Sequence, residues 1–463
     1  MYTLMVVIFI LGYFMIAFEH PLKIDKAAPA LLIAVLGWSA YVIGAEGILS
    51  DNAHYLNYLK ENIDGSYAGF IGGQLSHHLA HHSEIIFFLI GAMTIVELID
   101  SHEGFAVITN RIKTTNKVKL LWIICLLTFF FSAALDNLTT SIVMISLLRK
   151  LIGDKKDRWL FAGMVIIAAN AGGAWSPIGD VTTTMLWIGG QITAKNIVAE
   201  LFIPSLICIL IPLIYLTFTQ KGEIKRPVVV KEKEHIQDAT TSFERRLVFF
   251  LGISLLLFVP IFKTYTNLPP YMGMMFGLGV LWVFTEIIHK NKKYEVKSEL
   301  SVVGVLRKID LVSVLFFLGI LIAISSLQSA GQLNAVASFL DEKIGNIYAV
   351  NMVIGLLSAV VDNVPLVAAA MGMYPIEVLQ NIPAEELSYA SFFVQDGHFW
   401  EFLAYCAGTG GSALIIGSAA GVAVMGMERI DFLWYLKKMS LLAIAGYLAG
   451  AIYYIIVIGE ILN

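Results

Sequence analysis

Charge is what this sequence is short of. Only 14% of its 463 residues are Asp, Glu, Lys or Arg, against about 25% in a soluble chain. By contrast 58% are hydrophobic, and the mean hydropathy is +0.77. That shortage excludes a globular protein with a single anchor, because apolar runs of bilayer-crossing length (~20 residues) recur from end to end. Cysteine is scarce too. Cys125, Cys208 and Cys406 all fall in apolar stretches, which implies packing rather than a disulfide framework or a metal site. The run from Tyr2 to Phe18 has no basic residue before it and no small-residue cleavage site, so it reads as a first span and not a signal peptide. The composition predicts an all-α membrane protein, with the lipid bilayer as its partner and no role in nucleic-acid binding.

The apolar runs predict about 10 transmembrane helices: 2–18, 28–46, 84–100, 159–188, 202–219, 247–262, 270–288, 311–329, 398–421 and 438–458. Two of these, 159–188 and 398–421, are interrupted by Gly and Pro. The segments 119–150 and 346–374 are expected to be re-entrant hairpins. Placement of the 31 Lys and Arg residues supports this layout, since all but Lys60, Lys195, Lys263 and Lys343 then fall on one side. The positive-inside rule makes that side cytoplasmic and puts both termini outside. Basic loops flank 119–150 on both sides, so the chain between them returns to the face it left; its second arm, Thr139–Leu148, is too short to cross. Loops nearly free of Lys and Arg flank 346–374, so that hairpin enters from outside.

What the chain does have is a duplicated acid in apolar surroundings. Ser132-Ala-Ala-Leu-Asp136-Asn137-Leu138-Thr139 recurs as Ser358-Ala-Val-Val-Asp362-Asn363-Val364-Pro365. Downstream, Asn170-Ala-Gly172-Gly173-Ala-Trp-Ser176-Pro177-Ile-Gly179-Asp180 aligns without a gap on Gly408-Thr409-Gly410-Gly411-Ser412-Ala-Leu-Ile-Ile-Gly417-Ser418. With the loop charges, the match implies an inverted repeat, a common plan of secondary transporters. The segments expected are N-terminal scaffold helices (1–83), a first repeat (84–221), connectors and scaffold helices (222–310) and a second repeat (311–463).

An ionised carboxylate at the bilayer centre costs roughly 2.5–3.5 kcal/mol even on the lenient scale. Asp136 and Asp362 could merely cap the hairpin arms, but Ser or Asn would do that without a charge to bury. The paired glycines could serve close helix packing, yet Gly/Pro-broken segments at matching places in two halves point to a substrate site. There is no GK[ST], so a P-loop is excluded. With every Lys and Arg assigned to a loop, Asp136, Asp180 and Asp362 have no basic partner. Asn137, Thr139, Asn170, Thr182, Thr183, Ser358, Asn363, Ser412, Ser418 and Ser132 add neutral polar groups. Such a pocket suits a hard cation, Na⁺ or Li⁺, with sodium expected at Asp136, Asn137, Asp180, Asp362 and Asn363. A carboxylate that holds either a proton or a metal ion exchanges one for the other. Asp180 aligns with Ser418, and Thr139 with Pro365, so the first half should hold the stronger site.

Secondary candidates are Glu97, as a mid-helix proton relay or a solvated cavity residue, and Glu84. Asp310 reads either as a relay or as a helix N-terminus. His77-His78-Leu-Ala-His81-His82 reads first as a solvated polar loop; metal binding or external pH sensing by His81 and His82 are the alternatives. Lys221–Arg246 reads as a cytoplasmic connector.

These motifs resemble the NhaD-type sodium/proton antiporters of the ion transporter superfamily. The likeness rests on both Ala-x-x-Asp-Asn tips, on Asn170 through Trp187 and on the Gly408-Thr-Gly-Gly-Ser412 break, and it runs along nearly the whole chain. The dicarboxylate branch of that superfamily has Ser-Asn-Thr at the tips; Asp in both positions here fits cation exchange better. The resemblance implies a scaffold domain and a transport domain, a homodimer, an elevator-like motion and transport at the bacterial inner membrane, with no cofactor and no enzymatic reaction. The competing readings are an anion or metalloid (arsenite, dicarboxylate) transporter and an intramembrane aspartyl protease. The protease needs Gly-x-Gly-Asp, where this chain has Pro177 at the first glycine.

Overall fold

The computed structural model describes the whole chain except residues 51, 63–64, 110, 228–239, 361, 380–381, 383–386 and 460–463, and the side chains of 20, 21, 53 and 109. The centre of the 221–246 connector therefore lies outside the described residues. Those described are helical throughout, with one isolated bridge, Asn116 to Glu223, and no strand. The helices that frame the packing and the site begin with α1 (Tyr2–Ala17), α2 (Ala27–Ile43), α3 (Tyr67–Ser101), α4 (Lys117–Leu135) and α5 (Asn137–Leu151). Next come α6 (Lys155–Ala174), α7 (Val181–Ile188), α8 (Ala194–Thr219), α9 (Ser242–Thr266), α10 (Pro270–Ile288) and α11 (Leu311–Ser329). The chain continues through α12 (Ile347–Leu357), α13 (Asn363–Met373), α14 (His398–Gly410), α15 (Ala419–Glu428) and α16 (Ser440–Tyr453). Among the described residues, α3, α4, α8, α9, α10, α11 and the helical run Ser440–Gly459 are long and apolar enough to cross a membrane. The protein is a multi-pass, all-α membrane protein. α4, expected as a hairpin arm, is itself of crossing length at 19 residues, whereas its partner α5 has 15.

The chain packs as two units that do not follow sequence order. One is formed by Met1–Phe87, Asp310–Asn346 and Val364–Pro375, the other by Phe88–Ile309, Ile347–Asn363 and Ile376–Asn463.

In the first unit, Gly319 of α11 lies where a Cβ would come within 2.8 Å of the Ala30 backbone, so α2 and α11 approach closely. Trp38 Nε1 donates to Ile322 O at 2.9 Å, and Tyr41 OH to Ser329 O at 3.0 Å. The histidine run differs from its expected loop. It lies three turns inside α3, and the i, i+4 spacing puts His78 and His82 on one face. They meet an equally spaced serine pair of α11, His78 Nε2 with Ser329 Oγ at 3.0 Å and His82 Nε2 with Ser325 Oγ at 2.7 Å. Side-chain pairing across two helices is what a sequence pattern read one segment at a time does not register. His81 lies beside Glu84, one turn on.

In the second unit, the two matching stretches make matching contacts. Ser132 Oγ donates to Ala169 O at 2.5 Å, and its counterpart Ser358 to Ala407 O at 3.0 Å. A Cβ on Gly172 would stand 2.3 Å from Phe129 O, and on Gly410 2.0 Å from Gly355 O. Both glycines let one helix backbone lie directly on another. Each broken helix then turns back on itself: a Cβ on Gly173 would meet Gly179 O at 2.4 Å, and on Gly411 Gly417 O at 2.7 Å. The ends of α5, α6 and α15 are tied together by Glu428, whose side chain is 1% exposed. It accepts from Arg149 Nε at 2.7 Å and Arg158 Nε at 2.6 Å.

Candidate ion-binding site

Helix starts build the site. Asp136 separates α4 from α5 and Asp180 separates α6 from α7; each caps the helix that follows. Asp136 Oδ1 accepts from Thr139 N at 2.7 Å and Oδ2 from Thr139 Oγ1 at 2.8 Å. Asp180 Oδ1 accepts from Thr182 N at 2.8 Å and Thr182 Oγ1 at 2.7 Å. Ser418 caps α15 in the same way, accepting from Gly421 N at 3.1 Å, and α13 begins directly after Asp362. Asp136 holds φ 78°, ψ 161°, a region otherwise left to glycine and costing of order 1–3 kcal/mol. The packing around the tip maintains that strain.

Amides join the caps. Asn137 Nδ2 donates to Asp180 Oδ2 at 2.5 Å and to Asn170 Oδ1 at 3.1 Å. Asn170, fully buried, donates in turn to Ser412 Oγ and Ser418 Oγ, both at 2.9 Å. The Asn363 side chain also bonds to the Asp180 carboxylate, and Asp362 is close enough to Asp180 for their charges to repel. Asp180 is 2% exposed and Asp136 and Asp362 are half-buried. A cavity of about 20 Å³ reaches Asp136 and Asp180 between otherwise mostly apolar walls that include Phe88, Met93, Val96 and Met274. That is room for about one water or one bare ion.

Of the residues singled out in the sequence, Asp136, Asn137, Thr139, Asn170, Asp180, Thr182, Asp362, Asn363, Ser412 and Ser418 come together here. Thr183 Oγ1 instead donates to Asp180 O at 2.9 Å, which supports the backbone of the turn. Ser132 and Ser358 are spent on helix carbonyls. Glu97 is not mid-helix. It sits four residues from the end of α3, accepts from Ser101 Oγ at 3.3 Å and has Asp100 and Lys308 as charged neighbours. Asp310 is exposed and caps α11, accepting from Ser313 N at 3.1 Å. Glu84 stands beside His81. Among the described residues no three His, Cys, Asp or Glu side chains are grouped to hold a metal. The donors here are therefore a mixture of carboxylate, amide and hydroxyl. The sequence reading missed Ser176, whose Oγ donates to Ala133 O at 2.5 Å and locks the break against the tip. Its place beside Pro177 was the available signal.

The citrate transporter family model matches residues 6–393. Sodium/proton antiporter 2 of Arabidopsis thaliana is 43% identical over 98% of this chain and 99% of its own length. Sodium/proton antiporter 1 of the same plant is 46% identical, over 98% of this chain and 72% of itself. The Na(+)/H(+) antiporter NhaD of Alkalimonas amylolytica is 31% identical over 96% and 88%. The chain belongs to the NhaD-type sodium/proton antiporters. Its Asn137 and Asn363, which follow the acids of the two repeated tips, both bond to the third, unrepeated acid, Asp180.

Proposed function

We propose that this chain exchanges Na⁺ or Li⁺ for H⁺ across its membrane by alternating access, at a site formed by Asp136, Asp180 and Asp362. The observation that carries this is the charge balance of the converging helix starts. Four N-termini, of α5, α7, α13 and α15, meet at the site, each bearing roughly +0.5 charge. Alone they would bind an anion, as the name citrate transporter suggests for the wider family. Here three of the four starts carry a carboxylate. Against a total of about +2 from the helices, three ionised aspartates leave about one negative charge in excess. One Na⁺ or one H⁺ neutralises it, and both cannot be held at once without reversing the sign. Competition for that single excess charge is exchange. The helix starts also explain how Asp136 and Asp180 exist at membrane depth, because capping amides supply donors to both.

A homodimer, an elevator-like movement of hairpins and broken helices, and a cytoplasmic face on the Lys/Arg-rich side with both termini opposite complete the proposal. Relatives come from both a plant and bacteria; we place the chain in a bacterial inner membrane on its resemblance to the bacterial antiporters, with the loop charges setting its orientation. The test is dequenching of a ΔpH probe in acid-loaded everted vesicles on adding NaCl or LiCl, with Asp136→Asn and Asp362→Asn alongside. Normal exchange in both variants overturns the site. Uptake of labelled citrate in place of ²²Na⁺ would favour the anion reading instead.

A further inference from the structure

Away from the aspartates, the second unit holds another buried carboxylate with no Lys or Arg among its bonded partners. Glu401, in the first turn of α14, is 2% exposed. Its Oε1 accepts from the Asn196 amide of α8, and its Oε2 from Tyr454 OH at 2.5 Å. Tyr454 OH is also 3.2 Å from His398 Nδ1, while His398 Nδ1 and Glu401 Oε2 are 3.6 Å apart. The tyrosine hydroxyl thus lies between a ring nitrogen and a carboxylate, within hydrogen-bonding distance of each. The His398 side chain is 22% exposed and that of Glu401 3%, so the series runs from a wetter group to a dry one. On the loop-charge layout, the start of α14 is on the side poor in Lys and Arg, away from the cytoplasm.

The geometry points to His398, Tyr454 and Glu401 as a proton-entry relay on the non-cytoplasmic side, separate from the aspartate site. This deepens the exchange reading and rests on it. In the step, His398 Nδ1–H passes its proton to the Tyr454 oxygen while Tyr454 passes its own to Glu401 Oε2. Tyrosine is regenerated, imidazolium becomes neutral imidazole, and carboxylate becomes carboxylic acid, so charge and protons balance. The other titratable groups facing the relay are Glu200 of α8, which interacts with both Glu401 and His398, and Tyr348, which faces Tyr454. Glu401, Tyr405, Thr409 and Ser412 follow at spacings of 4, 4 and 3 residues. They share one face that leads toward the break, where Ser412 meets Asn170. Tyr454 is stacked on Phe402, centroids 4.9 Å apart, a contact that Tyr454→Phe retains.

Two fluxes in proteoliposomes test this: Na⁺-driven H⁺ movement, and ²²Na⁺/Na⁺ counterflow at equal pH, which uses the aspartate site but needs no proton. Tyr454→Phe and Glu401→Gln should slow the first about tenfold or more, most at alkaline external pH, and leave the second within about twofold. Glu401→Asp should recover part of the proton flux. Equal loss of both fluxes in Tyr454→Phe would mark the cluster as structural and overturn the relay, as would an unchanged proton flux. Absence of both fluxes in the unsubstituted protein would instead overturn the exchange reading on which the relay depends.

Discussion

The stretches 132–139 and 170–180 make backbone contacts that match those of 358–365 and 408–418, with different chemistry at the site. Ser132 and Ser358 donate to equivalent carbonyls, and Gly172 and Gly410 admit equivalent close approaches. The differences that bear on the site concern polar side chains. Asn170 faces Gly408 in the alignment, Asp180 faces Ser418, and Thr139 faces Pro365. In the structure Asn170 extends from the first half to both serines of the second. The lesson is that small residues maintain the shared frame and both halves supply an Asp-Asn tip, while the third acid and the Asn170 bridge come from positions where the halves disagree.

The comparison breaks most sharply at Asp180. Asp180→Ser makes the halves alike and removes the acceptor of two Thr182 bonds and the Asn137 bond; charge-assisted bonds at about 1.5–3 kcal/mol each predict exchange at least about 100-fold slower in vesicles. Ser418→Asp added to that variant should not restore it, since Asn137 bonds to the Asp180 position; recovery would show that the halves are interchangeable. Next, Gly172→Ala and Gly410→Ala should destabilise by similar amounts, about 1–3 kcal/mol, read as lower midpoints of thermal unfolding in detergent. A large loss in only one half would deny the common frame. Asn170→Gly, copying Gly408, removes the bridge to both serines and should weaken Na⁺ affinity about tenfold, measured as the half-maximal Na⁺ concentration for dequenching. Smallest of all, Ser132→Ala and Ser358→Ala should each cost about 1 kcal/mol of stability without altering the Na⁺/Li⁺ preference.

Much of this was legible in the chain. The positions of the crossing helices follow from apolar length, a local property, and the tips and breaks could be read because Asp-Asn and Gly-Gly interrupt otherwise uniform apolar sequence. Helix starts were less legible. α3 begins at Tyr67 and not near 84 because its histidines find serine partners on α11, which are distant in sequence. Glu97 lies near the end of its helix whether that helix starts near 84 or at Tyr67, and its neighbours Asp100, Ser101 and Lys308 are what the structure adds. Glu401 passed unnoticed because a single acid near a span end looks solvated until Asn196 and Tyr454 are seen to enclose it.

By itself the sequence determined that the chain is a helical membrane protein with a repeated acidic tip, because burial of apolar surface and the rarity of charge are compositional facts. Only the tertiary structure decided that Asp136, Asp180 and Asp362 share one electrostatic group and that Ser358 does not belong to it. Charges of like sign interact only when folding brings them near one another, and Asp180 comes within range of both Asp136 and Asp362 only in the folded chain.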